Sequence, residues 1–183
     1  ALDKITSGAT EEDPKQRLFI VSAGNVYPEA FAENTYPNAN TLESVKNPAQ
    51  SWNAVTVGGY TDKIEISDEL FSGFQALAPK DSLSPYSTTS VSWNRIWPVK
   101  PEVLFAAGNI ATNGQDFSTC DDLAQLTTGH RPSMNLFSTI HATSGATAQA
   151  ANFCARLMSE YPELWPETIR ALLIHSAKWT DEM

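Results

Sequence analysis

Three stretches of this 183-residue chain are apolar almost without interruption, and each runs straight into small or amide-bearing residues. Leu18-Phe19-Ile20-Val21 leads into Ser22-Ala23-Gly24-Asn25. Ala54-Val55-Thr56-Val57 leads into the paired glycines Gly58-Gly59 and Tyr60. Pro101-Glu102-Val103-Leu104-Phe105-Ala106-Ala107 leads into Gly108-Asn109. A strand with one wet face alternates polar and apolar residues, whereas a strand covered on both faces reads as a continuous apolar run. Three such runs, separated by long connections, predict an open α/β sheet that is mostly parallel and flanked by helices. The paired glycines predict the end of the second strand, and Ile64-Glu65-Ile66 a short surface strand.

The helical signals lie at the two ends. Leu2 and Ile5 stand three apart with no capping residue before them, which predicts the last turn of a helix, ended by the polar stretch from Thr6 to Gln16. Ala146 to Tyr161 predicts one small-residue helix with Ala148, Ala151, Ala155 and Met158 on a 3–4 spacing and another element packed close against them. Pro166-Glu167-Thr168 places a proline in the first turn of a final helix that carries Leu172, Leu173 and Ile174. Two polar segments, 26–53 and 110–139, are too long for plain connections, and loops of this size are usually functional or disordered. Ser82 to Ser92, rich in Ser, Thr and Pro, is expected to be irregular.

Charge and composition exclude several classes of function. Twelve Lys and Arg stand against 21 Asp and Glu, a net charge of −9, and no basic cluster rises above it, so no nucleic-acid partner is expected. No apolar run reaches the 18 residues of a membrane span, and no membrane partner is expected. Two cysteines, Cys120 and Cys154, make neither a disulfide framework nor a zinc site. Unpaired cysteines lean the chain toward a reducing, cytoplasmic setting. His130, His141 and His175 share no ligand spacing with one another or with carboxylates. His130 reads as a solvent-facing loop residue and His175 as a core or helix-end histidine.

The remaining candidate for chemistry is Ala142-Thr143-Ser144-Gly145-Ala146-Thr147-Ala148 at the start of a helix. A hydroxyl there lies among unpaired N–H groups at the positive end of the helix dipole. Ser144 or Thr143 reads as a helix cap, or Ser144 as a nucleophile whose helix start helps bind an oxyanion. An amide at a strand end, such as Asn25, is a group that completes such a site.

Five segments in order carry a resemblance: Ser22-Ala23-Gly24-Asn25, AVTVGGY at 54–60, SPYSTTS at 84–90, KPEVLFAAG at 100–108 and ATSGATA at 142–148. Together with EYPELWPETIRALLIHSA at 160–177, they resemble the C-terminal part of the catalytic domain of subtilisin-like serine proteases, the subtilases. The resemblance implies a partial three-layer subtilisin-like fold and a serine endopeptidase working through an acyl-enzyme. It implies Ser144 as nucleophile, Asn25 as oxyanion donor, and Ser22, Ala23 and Gly24 as one wall of the primary specificity pocket. Of the two Gly-Asn pairs, Asn25 is assigned, because Asn109 follows the segment that matches K-P-D-V-x-A-P-G. No cofactor is implied, although relatives bind structural calcium, for which no site is identified in the sequence.

The departures are specific. Ala142 stands where the family has Gly, Gly145 where it has Met, Ala148 where it has Pro, and Ala107 where A-P-G has Pro. The family's Asp and His precede the oxyanion asparagine, but the 24 residues before Asn25 contain no His and no D-x-G or H-G-T pattern. The expectation is therefore a rear portion of a protease domain over 1–183, with insertions 26–53 and 110–139 shaping access to the site. Its expected partners are a peptide or protein substrate and the upstream segment of the same protease, with self-association where that segment is missing. By itself the chain is expected to be inactive. The second reading is an inactive subtilase-like domain that binds peptides or serves as a scaffold.

Overall fold

A computed structural model describes residues 1–10 and 14–183. A parallel core of three strands organises it: β1 (Ile20–Ser22), β2 (Val55–Thr61) and, after the two short strands β3 (Gln75–Ala76) and β4 (Ser82–Leu83), β5 (Val103–Ala106). β1 and β5 lie parallel on opposite edges of β2, with Val57 facing both Ser22 and Val103, and β4 pairs antiparallel with the far end of β2 at Tyr60 and Thr61. All seven residues of β2 but Tyr60 are buried, as the continuous apolar run requires of a central strand.

The second strand does not stop at its paired glycines. It passes through Gly58 and Gly59 because side chains from neighbouring segments press directly against them. A Cβ on Gly58 would lie 2.5 Å from Pro101 Cγ and 2.7 Å from Ser87 Oγ, and one on Gly59 would lie 2.3 Å from the Ala107 methyl. The glycines mark a close approach rather than a turn.

Helices α4 (Ala142–Glu160) and α5 (Pro166–Ser176) cover one face of the sheet. Val55, Val57, Val103 and Ala107 pack there against Ala146, Ala150, Cys154, Ile169 and Leu173. The stripe expected on α4 is displaced. Thr143, Ala146, Ala150 and Cys154 face the sheet, while Ala148, Ala151, Ala155 and Met158 are exposed. Both sets repeat every three to four residues, and the first half of the helix offers no bulky apolar residue to tell one stripe from the other. The helix also begins four residues before the expected Ala146, taking in the whole candidate segment. On the opposite face, Ala23, Val45 and Ala49 pack with Val21 and Trp93.

α1 (Leu2–Thr6) is the short helix that Leu2 and Ile5 predict. The loop expected from Thr6 to Gln16 falls partly on residues 11–13, outside the described residues. Ile64 to Ile66 form no strand. The two polar segments are ordered insertions rather than plain loops. The first contains α2 (Ala30–Glu33) and α3 (Asn38–Leu42), and the second contains the pair β6 (Ala111–Thr112) and β7 (Phe117–Ser118) and the hairpin of β8 (Gln125–Thr128) and β9 (Phe137–Ile140). They meet in one small core, where Val26, Phe31 and Ala39 pack with Ile110, Tyr86 and Phe117, and Ala142 lies against the same cluster.

Candidate active site

The C-terminal ends of β1 and β5 both deliver their chain to the first turn of α4. The Ala142 N–H donates to Ala107 O at 2.9 Å, and the Thr143 N–H donates to Asn25 Oδ1 at 3.1 Å. The first N–H groups of a helix have no partner within it. With those of Ala142 and Thr143 taken by neighbouring strand ends, the N–H of Ser144 has no partner among the described residues. Ser144 itself is exposed, whereas Thr143 is fully buried.

Asn25 is oriented by chemistry rather than by choice. A backbone N–H can only donate, so the amide atom facing Thr143 is the oxygen. The Thr143 hydroxyl reinforces this, donating to the same Oδ1 at 2.6 Å with Gly24 O also in reach at 3.2 Å. Clamping the oxygen directs the NH₂ end of Asn25 away from Thr143, and among the described residues nothing accepts from it. Asn109 is different. It is wholly buried, its oxygen accepts from the Ala78 and Ile110 N–H groups, and its nitrogen donates to Lys63 O and Ala78 O. All of its capacity holds the loop after β5.

Ser22, Ala23 and Gly24 continue from β1 into this junction. Ala23 donates its N–H to Val57 O, and its carbonyl accepts from the Lys46 N–H at 2.8 Å and the Thr88 hydroxyl at 2.9 Å. The structure thus brings Ser144, Asn25 and the 22–24 segment together.

The histidines are elsewhere. His130 and His175 are exposed, His175 in the last turn of α5. His141 caps the start of α4 with its ring 5.8 Å from that of Tyr86. Burial holds its pKa below the usual histidine value, against the opposing charge of Asp121. No hydrogen bond joins it to Ser144.

The substitutions in these segments have physical counterparts. Ala107 offers an N–H that proline lacks, and it donates to Tyr60 O, lengthening the β2–β5 ladder. Gly145 makes room for Ile140, whose Cγ2 would lie 3.2 Å from a Cβ at that position. Ala148 is exposed on the helix. Ala142 is the strained one, with φ at +73°, a region that costs an L-residue roughly 1–2 kcal/mol. Ala142→Gly is expected to raise stability by about 0.5–1 kcal/mol, since the relief exceeds the extra freedom glycine has when unfolded. A urea titration measures it. A net loss would mean that the packing of the Ala142 methyl against Val26 and Tyr86 outweighs the strain.

Asn40 could not be singled out from sequence. Buried in α3, it donates from its side-chain nitrogen toward the carbonyls of Ser84, Pro85 and Ser87 at 2.8–3.2 Å, tying the first insertion to the segment behind the site. One Asn among several in a polar stretch gives no signal of this.

No group of three or more His, Cys, Asp or Glu side chains converges among the described residues. Both cysteines are unpaired and buried. No helix among the described residues is long and apolar enough to cross a membrane.

The sequence profile of the Subtilase family matches residues 1–183. A solved structure of a lanthipeptide protease is similar over 90% of this chain and 44% of its own length, with 19% identity and a TM-score of 0.48. The chain thus spans less than half the length of that protein. No curated protein matches the sequence significantly.

Proposed function

We propose, from the premise that this chain belongs to the subtilase family, that it carries the nucleophile and the oxyanion donors of a serine endopeptidase. Ser144 Oγ attacks the scissile carbonyl, and its proton passes to a histidine base. The oxyanion takes hydrogen bonds from Asn25 Nδ2 and the Ser144 N–H, the leaving amine is protonated, and water then releases the acyl group. Ser22 to Gly24 form a wall against the substrate side chain next to the scissile bond. The observation that carries this reading is the clamp of Thr143 on Asn25 Oδ1, which leaves one side-chain donor and one backbone donor beside an exposed serine. Such donors, positioned before charge develops, stabilise it without reorganisation.

None of the three histidines suits the role of base, so the base and its aspartate belong to a segment preceding these residues in the full-length protein. Residues 1–183 alone are then the rear portion of a catalytic domain and are inactive. No cofactor takes part, and the unpaired cysteines favour a cytoplasmic setting.

Asn25→Ala in the full-length protein is expected to lower kcat by on the order of 10²–10³ with little change in KM, because the lost bond matters only once the oxyanion forms. Asn109→Ala is expected to lower the unfolding midpoint instead, by removing four hydrogen bonds, three of them buried. Steady-state kinetics and thermal melts on both variants decide. A kcat loss confined to Asn109→Ala would overturn the assignment. The strained Ala142 beside Ser144 is the feature that favours an inactive peptide-binding domain. Peptide binding that survives in the absence of any turnover would support that second reading.

A further inference from the structure

The 22–24 segment has a neighbour that the catalytic reading does not use. Gly24 adopts φ +101°, and a Cβ built on it would lie 2.4 Å from Lys46 Cγ and 2.9 Å from Lys46 Cβ. The aliphatic stem of Lys46 therefore lies directly over the Gly24 α-carbon, in the space a side chain would occupy. The Lys46 main chain is fixed to the same segment, its N–H donating to Ala23 O at 2.8 Å. It is also held from behind: Val45 donates to Thr89 O, Ala49 donates to Lys46 O, and Val45 and Ala49 are buried against Ala23. This lysine stands on a rigid turn. Its side chain is about half exposed, as is that of its ion-pair partner Glu43, three residues earlier.

We infer that Lys46 makes this site select substrates with an acidic residue, Asp or Glu, immediately before the scissile bond. The inference rests on the proposed function, because it takes Ser22 to Gly24 as the wall facing that residue. A side chain lying along the wall, on the same residue as the carbonyl held by Asn25, meets the lysine stem first and the ammonium beyond it. An ammonium is a compact point charge that favours a carboxylate over its uncharged amide. Glu43 does not prevent this, since exposed ion pairs are weak and exchange readily for another carboxylate. The preference is local. The net charge of −9 does not help acidic peptides to arrive, so selectivity falls on fit at the wall.

Two readouts on the full-length protein test this and remain separable. The first is affinity for peptide amides ending in Glu or Gln, measured by fluorescence polarisation, together with their hydrolysis when extended past that residue. The second is labelling of Ser144 by a fluorophosphonate, which does not depend on Lys46. Glu is expected to be preferred over Gln by about fivefold, the scale of one exposed ion pair, and the preference should shrink in high salt. Lys46→Met keeps the stem over Gly24 and should erase the preference, Lys46→Glu should turn it toward Lys and Arg, and Glu43→Gln should strengthen it. Labelling of Ser144 with equal handling of Glu and Gln, or a Glu preference that survives Lys46→Met, overturns the role of Lys46 and leaves the protease reading standing. A Lys46-dependent Glu preference without labelling upholds the role of Lys46 and removes the catalytic reading.

Discussion

Ser144→Ala in the full-length protein is expected to abolish covalent labelling by a fluorophosphonate and to remove peptide hydrolysis to the background of the assay. The loss should be the largest of any single substitution in the chain, because the acyl-enzyme forms on this oxygen and no other group can replace it. Loss of a nucleophile in an enzyme of this class is on the order of 10⁶ in kcat. The structure makes the test clean. Ser144 is exposed in the first turn of α4, and its hydroxyl makes no hydrogen bond among the described residues. Alanine is also the residue that best suits a helix, so the variant should fold and melt like the parent. Mass spectrometry of the labelled protein identifies the modified residue. Persistent labelling at another serine in the Ser144→Ala protein would remove the assignment.

The largest effect on stability is expected from Glu102→Ala. The Lys100 side chain is wholly buried and that of Glu102 nearly so. The Lys100 ammonium donates to Glu102 Oε1 and to Ala54 O, Arg170 donates to the same Oε1 at 3.1 Å, and the Thr56 N–H donates to Oε2 at 2.7 Å. One carboxylate thus holds the entry to β5, the start of β2 and the middle of α5. Burial pushes the Lys100 pKa below its ordinary value, and the hydrogen bond and charge of Glu102 only partly restore it. Removing the carboxylate leaves a buried cation with one carbonyl partner and strands the Thr56 N–H. Breaking a buried pair in this way costs about 3–5 kcal/mol, a large part of the 5–15 kcal/mol that holds a typical domain. Lys100→Met should cost less, because Glu102 keeps Arg170 and Thr56, and adding Lys100→Met to Glu102→Ala should recover part of the loss. Urea unfolding of the three variants measures the cycle. A Glu102→Ala loss below about 1 kcal/mol would show that water reaches the cluster and screens it.

The same residues show how sequence and fold divide the information. Lys100-Pro101-Glu102 is visible as a motif, yet nothing in its spacing says that Arg170, 68 positions later, shares the carboxylate. The three strands were legible because burial on both faces leaves a continuous apolar signature. The extent of β2 was not, since a glycine pair serves a turn and a crowded crossing equally well, and only the positions of Pro101, Ser87 and Ala107 decide between them. The face of α4 was misplaced for a related reason: alanines at 148, 151 and 155 repeat with the same period as those at 146 and 150, and small side chains carry no record of which neighbour they touch.

Local order, the strand runs and the proline-marked start of α5 were set by the sequence itself, because they depend on periodicity, proline and side-chain burial along a short stretch of chain. The ordered set of short motifs also sufficed to indicate the family and to nominate Ser144 and Asn25. What only the tertiary structure decided is which atoms meet. It aims the Asn25 amide through Thr143, 118 residues away in the chain, forces Ala142 into a left-handed turn, seals the two insertions against each other, and lays Lys46 over Gly24. Each of these depends on distances between segments remote in sequence, and side-chain identity constrains such distances only after the whole backbone has closed around them.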